Sequence, residues 1–189
     1  QNHPEVIGTM GQIKTLIHLV EKLDDINKLP YSKNKKIAYV TQTTLSVDDT
    51  QLLVNALKNK FDNVIEPRKN DICYATTNRQ NAVKKIAPLC DIFIVIGAKN
   101  SSNSLRLVEV AKLYGSKKSI LLENIDQFDE KLLINKNNVG LTASASAPEI
   151  LVQNFIKILK NKYIINVHEL DYISENVVFK IPQQLKIIK

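Results

Sequence analysis

The chain has no tryptophan, one methionine, five glycines and two cysteines among its 189 residues. Each shortage excludes something. Cys73 and Cys90 are too few to staple a disulfide-built domain or to close a four-thiolate metal site by themselves. The five glycines form neither a Walker phosphate loop nor a GxGxxG dinucleotide fingerprint, which disfavours ATP- and NAD-type sites. No apolar run approaches the roughly 20 residues of a spanning helix, so no membrane is expected as a partner. Of the 26 basic residues only Arg68, Arg79 and Arg106 are arginine, and aromatics make up 6%. Nucleic-acid surfaces rely on arginine forks and aromatic platforms. The net charge of +7 therefore reads as a lysine-rich solvated surface, and no nucleic-acid partner is expected. The opening residues carry no leader pattern.

What is present is an ordinary globular composition, 44% apolar and 24% charged, arranged as short β-branched runs alternating with amphipathic helices. Ile37–Val40 reads as a strand, followed by a polar turn and a helix capped by Ser46, with Asp48 and Asp49 at its positive end. Asn63–Glu66 is a second strand, ended by Pro67. Thr77 with Gln80 reads as a capping box opening the next helix. Asp91–Gly97, the run DIFIVIG, is the strongest central strand. A helix through Leu105, Val108 and Ala111 stops near Gly115. A strand at Ser119–Leu122, a helix near Gln127–Ile134, a strand at Asn138–Ala143 and a helix led by Pro148 follow. Residues 16–28 read equally as strand or helix, and the tail holds two more β-like runs, Tyr163–Val167 and Val177–Ile181. This alternation predicts an α/β protein with small, mostly parallel sheets and right-handed crossovers. It divides into units at 1–68 and 69–162, with a tail at 163–189.

Ligands of open α/β sheets bind outside the carboxyl ends of the strands. Three such ends are rich in hydroxyls and amides: Thr41–Ser46, Lys99–Ser104 and Thr142–Ser146. Each precedes a helix N-terminus, where free N–H groups and the dipole favour an anion. Any one of these loops also serves as a simple helix cap; three in one protein point to a shared phosphate-type site. His3 and Glu5 flank Pro4, and Gly8 with Gly11 suggests a tight loop there; a donor beside a carboxylate suits anion binding coupled to acid chemistry. Cys73 stands just before a helix, a position that can favour a thiolate, although by composition alone it reads as a structural cysteine; Cys90 borders the central strand and reads as a buried small hydrophobe. His18 and His168 read as ordinary structural histidines.

The runs HPEVIGTMGQ at 3–12, VTQTTLSVDDT at 40–50, PRKNDICYATTNRQ at 67–80, IGAKNSSNS at 96–104 and VGLTASASAPEILV at 139–152, with VVFKIP at 177–182, resemble the C-terminal part of the LytB family, the 4-hydroxy-3-methylbut-2-enyl diphosphate reductases. The resemblance implies a three-unit trefoil arrangement of which this chain is the later two units plus the tail packing back over the site. It implies two-electron reductive dehydroxylation of an allylic diphosphate substrate to isopentenyl and dimethylallyl diphosphate, the last step of the non-mevalonate pathway. The implied cofactor is a 4Fe-4S cluster held by three cysteines, one of them matching Cys73. Glu5 matches the proton-supplying carboxylate and Thr43 the threonine that orients the substrate hydroxyl, with Thr44 beside it. His3, Ser101, Asn103 and Ser146 match residues that hold the diphosphate, with Ser102 adjacent.

Electrons are expected from ferredoxin or flavodoxin, in a bacterial cytoplasm or a plastid-type organelle. The family's first unit, with two more cluster cysteines and two histidines, has no counterpart in these 189 residues. The isolated chain is therefore expected to be an inactive piece of the enzyme. Ser144 stands where the family usually has glycine and Ala98 where serine is common. The rival reading is a cluster-free phosphate- or diphosphate-binding α/β enzyme.

Overall fold

The computed structural model describes residues 3–170, 173, 177, 178 and 180–185. Two parallel sheets organise them. In the first, β1 (Lys36–Ala38) pairs with β2 (Asn63–Ile65), with α3 (Val47–Lys60) as the crossover. In the second, the order is β4 (Ser119–Leu122), β3 (Ile92–Ile96), β5 (Val139–Ala143), with β3 central and parallel to both neighbours. α4 (Tyr74–Ile86) links the sheets, α5 (Ser102–Leu113) connects β3 to β4, and α6 (Glu149–Lys162) follows β5. α1 (Pro4–Met10) and α2 (Leu23–Asn27) precede β1.

β3 explains the core. All five of its side chains are buried, as a strand covered on both faces requires. Phe93 and Val95 point to one side, against Val83, Leu107, Val110 and Ala111 of α4 and α5. Ile92, Ile94 and Ile96 point to the other, against Phe155 and Leu159 of α6. A smaller cluster of Ile26, Leu57 and Phe61 covers the first sheet. Between the sheets runs a polar junction: Asp48 of α3 takes Lys84 of α4 at 2.6 Å and the Tyr114 hydroxyl at 2.6 Å.

Several local expectations are corrected. Residues 4–10 form a helix instead of a tight loop, because His3 caps it, Pro4 sits at its first position and Glu5 favours its positive end. α4 starts at Tyr74 with Cys73 as its cap residue, so Thr77 caps nothing. The helix expected near 127–134 is two 3-10 turns, Ile125–Gln127 and Glu130–Leu133. Asn124 and Asp129 each turn a side chain onto the backbone two residues on, which favours a single turn over a continuing helix. Residues 16–21 belong to no helix or strand, and α2 settles the remainder of the ambiguous stretch. The tail run 163–167 is not a strand; Ile165 packs beneath β3 instead. Of the run 177–181, residue 179 lies outside the described residues and the others form no strand. Ser46 caps α3 as expected, its Oγ accepting the Asp49 N–H at 3.2 Å, and α5 stops before Gly115, whose φ is 102°.

Candidate functional site

The carboxyl ends of β1, β2, β3 and β5 each lead into a helix, and the residues singled out from the sequence lie there, except His3 and Glu5 at the start of α1. His3 anchors one side. Its Nδ1 accepts the Glu5 N–H at 3.2 Å, so in a neutral ring the proton sits on Nε2, which then donates to Ser102 Oγ at 3.0 Å. That contact joins residues 99 positions apart. The Ser102 hydroxyl keeps its own hydrogen for another acceptor.

The Glu5 carboxylate is held by one residue. The Thr43 N–H donates to Oε1 at 2.9 Å and the Thr43 hydroxyl to Oε2 at 3.4 Å. Thr43 in turn receives the Cys73 N–H on its carbonyl at 3.0 Å. Hydrogen bonds thus link Ser102, His3, Glu5, Thr43 and Cys73 residue to residue, through the backbone N–H groups of Glu5 and Cys73 as well as through side chains. Asp71 fastens the same loop from below, accepting the Thr41 N–H at 2.7 Å. Thr44 lies beside Thr43, half-buried.

Opposite lies the first turn of α5. Ser101 is its cap, accepting the Ser104 N–H at 3.3 Å. Asn103 is only 6% exposed, yet both ends of its amide lack a partner among the described residues. Gly97 makes the tight turn possible: a Cβ there would lie 2.2 Å from Ser104 Oγ and 3.2 Å from Ser144 Oγ. Ser144 is buried, and Ser146, itself exposed, reaches only the Ser144 hydroxyl at 3.4 Å. Hydrogen bonds thus join His3 to Ser102, Glu5 to Thr43 and Cys73 to Thr43, while among the described residues none joins Thr44, Ser101, Asn103 or Ser146 to another of these candidates.

The two thiols differ in their surroundings. Cys73 is half-buried at the head of α4, free of any disulfide, and its side chain makes no capping bond. Cys90 is buried, donates to the Ile86 carbonyl at 3.1 Å, and burial pushes its thiol pKa up, reinforced by Asp91. A thiolate ligand fits Cys73 and not Cys90. No group of three His, Cys, Asp or Glu close enough to hold a metal ion exists among the described residues.

Two contributors escaped the sequence reading. Gln80, taken for part of a cap, is fully buried and bonds both Leu45 and Val47. Asp71 is not singled out by any pattern in the sequence. Gln80 did leave a signal: it shares the i, i+4, i+7 stripe of Thr76 and Val83, the buried face of α4.

The LytB protein family model matches residues 1–160. The 4-hydroxy-3-methylbut-2-enyl diphosphate reductase of Azoarcus sp. (strain BH72) is 49% identical over 98% of this chain and 59% of its own length. That of Histophilus somni (strain 2336) is 50% identical over 99% and 60%. The solved structure of the E-1-hydroxy-2-methyl-but-2-enyl-4-diphosphate reductase from Plasmodium falciparum matches with a TM-score of 0.90 at 41% identity, covering 98% of this chain and 59% of that one. The chain thus spans about three-fifths of the length of these relatives. Sequence and fold agree over nearly the whole of the chain: it belongs to the LytB family.

Proposed function

We propose that this chain carries the proton-handling and diphosphate-holding parts of a 4-hydroxy-3-methylbut-2-enyl diphosphate reductase. The observation that carries the reading is the set of contacts His3–Ser102, Glu5–Thr43 and Cys73–Thr43. They bring a hydroxyl suited to an anion, a carboxyl group and the residue bearing a free thiol together, His3 bonding the Glu5 backbone N–H and Thr43 accepting the Cys73 backbone N–H. The relatives' names supply the substrate, an allylic alcohol bearing a diphosphate.

Reductive dehydroxylation consumes two electrons and two protons and releases water, so the site must hold the diphosphate and deliver protons. Cys73 is the residue of this chain that would hold a 4Fe-4S cluster, which when bound supplies the electrons and a Lewis-acidic iron. When Glu5 carries the proton at Oε2 and the Thr43 hydroxyl turns its hydrogen towards the substrate, Glu5 hands that proton to Thr43 Oγ1, which passes its own to the departing hydroxyl. The backbone N–H of Thr43 stays on Oε1 and keeps the carboxyl aimed. At the other end Ser102, oriented by His3, donates to a phosphate oxygen. Asn103, buried without partners, supplies an amide, and Ser101, Thr44 and Ser146 add hydroxyls. The α5 N-terminus favours the negative charge. The lysine-rich surface suits an acidic electron carrier of the ferredoxin or flavodoxin kind. No helix among the described residues is long and apolar enough to cross a membrane. The bacterial relatives and the Plasmodium structure support a bacterial cytoplasm or a plastid-type organelle as the setting.

Anaerobic iron–sulfur reconstitution of the complete protein tests this. The expected result is visible cluster absorption and turnover of the allylic diphosphate alcohol with a one-electron donor. A protein without cluster absorption that still turned over a phosphate ester would establish the cluster-free alternative instead.

A further inference from the structure

Gln80 sits two turns along α4 from Cys73 and is 0% exposed. Burying an amide is unfavourable unless both of its ends are hydrogen-bonded. Here they are: Oε1 accepts the Val47 N–H at 3.0 Å and Nε2 donates to the Leu45 carbonyl at 2.8 Å. The partners dictate this orientation, since a turned amide would set donor against donor and acceptor against acceptor. Val47 is the first residue of α3, whose N–H has no partner inside its own helix. Ser46 serves Asp49, which leaves the Val47 N–H to Gln80.

Both partners lie just after Thr43 and Thr44. The same helix opens at Cys73, whose N–H binds the Thr43 carbonyl at 3.0 Å, and Lys84 lies one turn beyond Gln80, paired with Asp48 at 2.6 Å. Positions 73, 80 and 84 of one rigid element thus hold residues 43 to 48 at three points. Two of these points are ordinary: a backbone bond and a partly exposed ion pair. Gln80 is the buried one, and its two bonds define both the position and the tilt of the turn.

We propose that Gln80 is a positioning residue, which fixes the Thr43 hydroxyl, and with it the Glu5 carboxyl, in place relative to the Cys73 thiol. This rests on the reductase reading above. Among the described residues no hydrogen bond joins Gln80 to Ser101, Ser102 or Asn103, so its effect belongs to the proton-delivery side and not to diphosphate binding.

The test uses the complete, cluster-loaded protein. Gln80→Met keeps the size and removes both bonds, while Gln80→Glu keeps the acceptor for Val47 and loses the donor to Leu45. Because small misplacements of reacting groups are costly, Gln80→Met is expected to lower kcat about tenfold or more with KM within about twofold. Cluster absorption stays unchanged, and hydrogen exchange at the Val47 amide speeds up while β3 amides stay protected. Gln80→Glu falls between, and is read alone if the methionine variant does not fold. Unchanged kcat, a loss confined to KM, or cluster loading that falls in step with kcat would overturn the proposal. A wild-type protein without reductase activity would sink the functional reading by itself. Val47 exchange in the variants would then decide alone whether Gln80 holds the turn, unchanged exchange refuting it.

Discussion

At the scale of single residues, the site as proposed divides into a proton side and an anion side, and substitutions should separate them. Glu5→Gln keeps a group that accepts from Thr43 but removes the transferable proton. Its kcat should fall by about 10² to 10⁴ with KM little changed, as general acid catalysis implies. His3→Ala removes the donor that orients Ser102, and should act mainly by raising KM for the diphosphate, measured in steady-state kinetics. Cys73→Ser should abolish visible cluster absorption after anaerobic reconstitution, whereas Cys90→Ser should leave it intact. If both cysteine variants retained the absorption, Cys73 would not be a ligand.

At the scale of elements, helix starts carry the site, and their caps should show it. Ser46→Ala loses the bond to the Asp49 N–H and should cost about 1 kcal/mol in denaturant unfolding. Gly97→Ala is harsher, because the new methyl would lie 2.2 Å from the buried Ser104 hydroxyl. The first turn of α5 must move to admit it, so a higher KM and a lower melting temperature are expected together. Unchanged KM with a lower melting temperature would mean that α5 does not hold the substrate. Element identity was largely legible. β3 announced itself as an uninterrupted apolar run, and Ser46 as a cap followed by two aspartates. Helix starts at 4 and 74 are misread from sequence because a histidine and a cysteine are unusual cap residues, and at 74 the partner of the Cys73 N–H, the Thr43 carbonyl, lies 30 residues away.

At the scale of the whole molecule, two aspartates tie the parts together. Burial would raise the Asp48 pKa, but the Lys84 ammonium and the Tyr114 hydroxyl outweigh it and hold the carboxyl below its ordinary value. Lys117, with the Asn137 and Asn138 N–H groups, holds Asp91 well below the carboxylate range. Both folded values are depressed. Their stabilisation is therefore complete above the unfolded aspartate pKa of about 3.9 and is lost as pH falls through the folded values. Melting temperature should drop as pH is lowered below about 4, and less steeply in Asp48→Asn and Asp91→Asn, whose melting temperatures near neutral pH should already be reduced. An identical acid slope in all three proteins would show that neither carboxylate is coupled to folding.

The residue types and their order were enough to determine the alternation of strands and helices, the buried identity of β3, the hydroxyl-rich ends where an anion would bind, and the family. Those properties are local: apolar periodicity, cap chemistry and contiguous motifs can be read along the chain. Only the tertiary structure decided that His3 meets Ser102, that Thr43 rather than a charged residue grips Glu5, and that Gln80 braces the turn between them. Each of these joins residues 33 to 99 positions apart. Contacts of that span depend on how two sheets and the helix between them pack, and no one segment contains that information.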